Sequence, residues 1–278
     1  MAAREQEKSS PRAKKGRDSG RAKPLSLDAL REYGALDGFS PPTEDFDPKG
    51  PWRNSYRIWL AGSQGRNDMG FIELKRSPNS DRKSFTLDVM TKILQSARSI
   101  HRIQATLQCA DDALAAPRSW RLTSDMLDPQ GQAIESAAWT ESAQAQKGEI
   151  RVETKSGRLT RKVPASFTGD WPLFEAVQRL QGAAARPLEF ALLEGLDVLK
   201  GGQRLSFRQN TALHLGDAGL NLVEYQQLGE GILPFHYWVD ERHRLLFAIT
   251  GLRAYIFDPE AQERFEKQLS SPSKGKKS

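Results

Sequence analysis

Residues 102–109 alternate without a break: Arg102, Gln104, Thr106 and Gln108 are polar, and Ile103, Ala105, Leu107 and Cys109 are apolar. A helix would scatter both sets around its circumference, whereas a strand sends them to opposite faces. The same period of two recurs at Tyr56/Ile58/Leu60, Phe85/Leu87/Val89, Trp120/Leu122, Ile150/Val152, Leu205/Phe207, Phe235/Tyr237/Val239 and Leu245/Phe247/Ile249. Turn-forming segments punctuate these runs at 62–68, 77–81, 128–132, 155–157 and 216–219. Connections this short favour hairpins, so the pattern predicts an antiparallel meander of about a dozen strands. The positions opposite the apolar ones are strongly polar, as at Glu149, Arg151, Glu153 and Lys155, so one face of the sheet is wet. A curved half-barrel satisfies this, and a two-layer β sandwich is the alternative.

Two helices interrupt the two-residue period. Over 170–181, Leu173, Phe174, Val177 and Leu180 fall on one side, with Glu175, Arg179 and Gln181 opposite. Asp170 is the expected N-cap, and Pro172 sits in the tolerant first turn. A short C-terminal helix is expected over 259–269, and Ser26 should cap another that ends near Tyr33. The apolar stretch 188–199 reads as a strand through Leu193. Residues 25–51 are then a short helix followed by a Pro-rich acidic connector, and 52–270 form a single β domain.

Charge narrows the function classes. The net charge is +6, but residues 1–24 carry +5 and residues 271–278 carry +3. Removing both leaves about −2 for residues 25–270. Basicity confined to tails that lack apolar side chains predicts disordered ends and a body without a nucleic-acid-binding face. No stretch is long and apolar enough to be a transmembrane segment, and the chain as given shows no signal peptide. Cys109 is the only cysteine, which rules out an intrachain disulfide and Cys-rich metal sites; it reads as a buried small hydrophobe.

No catalytic constellation stands out. His236 and His243 lie close to Asp240 and Glu241, but a zinc site needs three or four converging ligands. Asp125 and Asp128 are separated by an odd number of residues and would point apart on a strand; Glu149 and Glu153 share a solvated face. The common nucleophile, phosphate-loop and metalloprotease motifs are absent. No catalytic residue, metal or cofactor is expected. The aromatic residues remain, and a large curved sheet has an apolar concave face that a helix can cap. Candidate ligand-lining residues on that face are Tyr56, Ile58, Trp120, Leu122, Trp171, Phe174, Phe235 and Tyr237.

The run Asp170-Trp171-Pro172-Leu173-Phe174-Glu175-Ala176-Val177-Gln178-Arg179-Leu180 carries a family resemblance, together with Leu192-Leu193 leading to Lys200. So does Gly229-x-Gly231-x-x-Pro234-x-x-Tyr237-Trp238-x-Asp240, with Arg244-Leu245-Leu246 after it. Residues 170–258 resemble a group of uncharacterised bacterial cell-envelope proteins with a lipoprotein-carrier (LolA/LolB-like) half-barrel fold. The resemblance implies a convex sheet with helices over an apolar cavity, and a site outside the cytoplasm. The expected function is non-enzymatic binding of a lipid or other apolar molecule in the concavity. The alternative is a structural or interaction protein with a filled core and no small-molecule ligand.

Overall fold

The computed structural model describes residues 25–62, 68–96, 99–128, 130–215 and 218–270. The two basic tails lie outside these residues, as do parts of the turn segments at 62–68, 128–132 and 216–219. Among the described residues there are fifteen strands rather than a dozen, and all belong to one sheet. The first eight are β1 (Trp52–Leu60), β2 (Asp68–Pro78), β3 (Ser84–Ser96), β4 (Ser99–Ala110), β5 (Pro117–Leu127), β6 (Trp139–Gln146), β7 (Glu149–Thr154) and β8 (Gly157–Lys162). The others are β9 (Phe167–Gly169), β10 (Leu188–Glu194), β11 (Val198–Leu215), β12 (Ala218–Leu228), β13 (Phe235–Val239), β14 (Leu245–Thr250) and β15 (Arg253–Phe257).

The chain starts in the middle of the sheet. It steps outward from β1 to β8, resumes at the opposite edge with β9, and returns strand by strand until β15 pairs with β1. Every pairing is antiparallel except β9 with β10. Laid flat, fourteen strand spacings would separate the two edges by about 65 Å. The segment from Lys162 to Phe167 can reach only about 18 Å, so the sheet must curl until β8 and β9 approach each other. It stays unclosed, because β8 pairs only with β7. Across the seam Arg161 of β8 reaches Asp197, in the turn after β10, at 3.1 Å.

Alternation decides what faces inward. Phe85, Leu87 and Val89 of β3 stand opposite Cys109, Leu107 and Ala105 of β4, and all six are buried. Charged residues can share this face: Arg76 is in phase with Ile72 and Leu74, and is 1% exposed. In β14 both faces are covered, so Leu245 through Ile249 form a continuous buried run. Its outer side meets the segment after α1 (Leu27–Glu32), where Phe39 packs on Phe247 at 4.9 Å between ring centres. Ser26 caps α1 by accepting from the Ala29 N–H. A second outer helix, α3 (Ala261–Ser270), buries Phe265 against Phe71 at 5.8 Å.

The remaining helix, α2 (Asp170–Ala176), continues as a 3₁₀ turn over Val177–Arg179 and lies inside the curved sheet. Gly169, in extended conformation, occupies the N-cap position and Asp170 is the first helical residue, which corrects the expected Asp170 cap. The expected polar outer face is also corrected. Trp171 through Gln178 are all buried, because the sheet surrounds the helix. Buried polar groups then need partners. Glu175 accepts from Arg76 Nε at 2.9 Å and from Arg179 at 2.8 Å, and both arginines reach Asp111. Gln178 accepts from Asn54 and from the Leu245 N–H, and donates to the Phe174 carbonyl.

Candidate functional site

Phe174 divides the interior. Its ring stands edge-on to Tyr56, Phe235, Tyr237 and Tyr255, with ring centres 5.2–6.3 Å apart. Such pairs add to the burial energy of the rings themselves. On the Glu175 side of this cluster Arg76, Arg179 and Asp111 close in on the helix. The Asp170 side borders open space.

There a cavity of about 520 Å³ lies between the sheet and the start of α2. Ile58 of β1, Ile72 of β2, Ile93 of β3 and Ile103 of β4 form one wall. These are inward positions of consecutive strands, so the wall follows directly from the two-residue period. Gly70 is registered between Ile58 and Ile93, where a Cβ would collide with the Lys92 carbonyl of the neighbouring strand. Tyr255 stands beside Ile58 on the neighbouring strand, and Trp171, Leu192, Phe235 and Tyr237 complete the lining, with Leu233 of the β12–β13 loop. A second cavity of about 610 Å³ abuts the first at Ile103 and Gly195. Leu122, Val152 and Leu159 line it, and Arg161 and Asp197 stand at the seam above it. Both volumes are in the range of small-molecule sites.

Of the eight candidate lining residues, Ile58, Trp171, Phe235 and Tyr237 border the first cavity and Leu122 the second. The structure places the other three elsewhere. Tyr56 and Phe174 belong to the packed aromatic cluster, because α2 drives Phe174 between the sheet's rings. Trp120 is held in the core, with its indole donating to Glu141 at 2.8 Å, and borders a separate polar groove near Thr106, Gln108 and Arg151.

The polar groups of the first cavity escaped the sequence reading. Tyr237 donates to Gln227, Gln227 donates to Gln203, and Gln203 donates to the carbonyls of Gly201 and Glu230. Burial raises the Tyr237 hydroxyl well above its ordinary pKa, so the phenol stays neutral. Lys200 is paired with Glu194 at 2.7 Å. Thr91 is 5% exposed, and its hydroxyl has no hydrogen-bond partner. Asp170 also lines the cavity, with Oδ1 buried and unpartnered. Loss of hydration raises its pKa to about 6, against the opposing pull of the Gly195 and Trp171 backbone N–H groups. The signal for Thr91 was its inward phase between Val89 and Ile93. For Asp170 there was none, since a helix-opening aspartate looks like a cap.

The histidines do not gather. His236 Nδ1 donates to Glu224 (2.8 Å), His101 shares a hydrogen bond with Ser124 (2.8 Å), and His243 sits in the β13–β14 turn with φ of 66°. Among the described residues, no three metal-ligating side chains form a group, and no helix is long and apolar enough to cross a membrane.

No family model and no curated protein matches the chain. Solved structures do. A β-barrel-like protein of the domain of unknown function DUF1849, from Brucella abortus, matches with a TM-score of 0.50 at 11% identity, over 75% of this chain and 95% of its own. A DUF1089 family protein from Pseudomonas aeruginosa matches with a TM-score of 0.38 at 13% identity, over 69% of this chain and 95% of its own. At this identity the first likeness concerns the fold alone: the chain is mainly β, with one large curved, unclosed and β-barrel-like sheet.

Proposed function

We propose that this protein binds a lipid or another apolar molecule inside its curved sheet, catalyses no reaction on it, and works at the cell envelope. The observation that carries the reading is the pair of abutting cavities beneath a sheet whose edges do not pair. Both are open to solvent and lined mainly by apolar side chains, which offers an apolar molecule a concave surface to cover. The resemblance of residues 170–258 to lipoprotein-carrier-like envelope proteins supports the same reading and supplies its compartment. The unpaired seam offers a route for an elongated molecule to enter from the side.

The test is binding of a fluorescent long-chain probe to the whole protein, with native mass spectrometry of molecules that co-purify. Binding that is saturable, and weakened several-fold in Trp171→Ala, is the expected result. If no apolar probe binds and nothing co-purifies, the protein is a structural or interaction module instead.

A further inference from the structure

Antiparallel pairing puts alternate turns at the same end of a sheet. The turns after β1, β3, β7, β10, β12 and β14 and the β5–β6 segment therefore share one end, where Leu60 stands opposite Arg253. Exposed apolar side chains gather there. Among the described residues eight large apolar side chains are exposed, and seven belong to this end. Leu252 lies in the β14–β15 turn, Leu228 and Leu233 at the β12–β13 loop, and Val198 just after the β10–β11 turn. Ile134 precedes β6, Trp139 opens it, and Leu159 stands near the start of β8. The eighth, Tyr33, stacks on Trp59, one residue from the end of β1. The opposite end, with turns at 79–83, 111–116 and 240–244, shows none of the eight.

Both cavities reach this same end. Leu233, Thr250 and Arg253 line the first, and Trp139, Gly157 and Asp197 line the second. Both basic segments join the body there too. Residues 1–24 lead into Leu25, whose N–H donates to the Gly251 carbonyl in the β14–β15 turn at 3.3 Å. Residues 271–278 follow α3, near whose end Gln268 donates to the carbonyl of Asp68, the first residue of β2, at 3.4 Å. The first segment carries eight basic side chains against three acidic, and the second three against none.

We propose that this end of the sheet docks on an anionic lipid bilayer: the two basic segments hold the protein to the head groups, the exposed apolar side chains enter the surface layer, and both cavities face the lipid. This deepens the apolar-ligand reading above by making the bilayer the source of the ligand, although docking itself needs no occupied cavity. Anionic head groups attract polybasic segments, and a surface layer that is polar outside and apolar within suits leucines and a tryptophan. A second copy set mouth to mouth would bring like charges together. A nucleic acid would neutralise the basic segments and leave the apolar side chains in water.

The test is flotation of the whole protein with vesicles of phosphatidylcholine alone, or of phosphatidylcholine with about one-third phosphatidylglycerol. The anionic vesicles should bind about ten-fold or more tightly at about 0.1 M salt, and that advantage should shrink several-fold at about 0.5 M. Replacing Lys274→Gln, Lys276→Gln and Lys277→Gln together should weaken anionic-vesicle binding about ten-fold. Val198→Gln with Leu252→Gln removes apolar surface without changing charge, at exposed positions outside both cavities, and should weaken it several-fold. Equal binding to both vesicles, or no binding to either, overturns the docking. So does full binding by the Val198/Leu252 variant, since the basic segments would then act alone. Self-association that the same variant abolishes would assign the surface to a second copy instead, and tighter binding to RNA than to vesicles would assign the basic segments to nucleic acid. The fluorescent probe, titrated without vesicles, decides the apolar-ligand reading separately: probe binding without vesicle binding sinks only the docking, and the reverse sinks only the ligand.

Discussion

The two ends of α2 sit in the same sheet, yet they are built differently. At the Phe174–Gln178 end Glu175 and Gln178 have found partners, and the aromatic rings interlock. At the Asp170–Trp171 end the wall is equally apolar, but the space is open, and Asp170 Oδ1 and the Thr91 hydroxyl have no hydrogen-bond partner. Burial alone does not separate the two regions. Packing does: rings and ion pairs close one end, and the other borders an open cavity.

The strongest way to break this comparison is to remove rings from both sides. Phe174→Ala empties a packed aromatic site and should cost about 3–5 kcal/mol in chemical denaturation. Phe235→Ala truncates a ring that already borders the cavity and should cost less, below about 3 kcal/mol. Equal losses would mean that the open end is packed as tightly as the closed one.

A smaller effect comes from the Asp170 carboxylate. Its pKa is raised from 3.8 to about 6 in the folded protein, so between those values the folded state holds the proton more tightly than the unfolded state. Stability therefore falls as pH rises through that window and stays lower above it. A two-unit shift corresponds to about 2–3 kcal/mol, reduced by solvent reaching the cavity. Asp170→Asn, neutral throughout, should melt a few degrees above the wild type at pH 8 and level with it near pH 3.5. A variant less stable than the wild type at pH 8 would show that Asp170 serves structure, as Glu175 does.

The smallest effect belongs to the seam. Arg161→Ala removes a pair whose Asp197 side is largely exposed, and should change stability by less than about 0.5 kcal/mol. A loss above about 2 kcal/mol would mean that the seam is a structural closure rather than an opening.

Much of this was legible in the residues. The inward and outward sets of β4 can be read from 102–109, and the isoleucine wall is a sum of such local alternations. The α1 cap at Ser26, the strand at 188–194 and the helix after Gly169 also follow from near neighbours, because propensity, capping and side-chain phase act over a few residues. Arg76 was legible by phase with Ile72 and Leu74, although its charge argued for the surface.

What the tertiary structure alone decided is what meets what across long stretches of chain. Nothing local announces that β1 pairs with β15, or that β8 and β9, four residues apart, stand at opposite edges of one sheet. The curl that follows from this placed α2 inside, buried its nominally polar face, and matched Glu175 with Arg76 across 99 positions. It left Asp170 facing a cavity. Local sequence sets which face a side chain takes. Whether that face is then filled, paired or left open depends on distant residues arriving beside it, and only the closed path of the chain determines that.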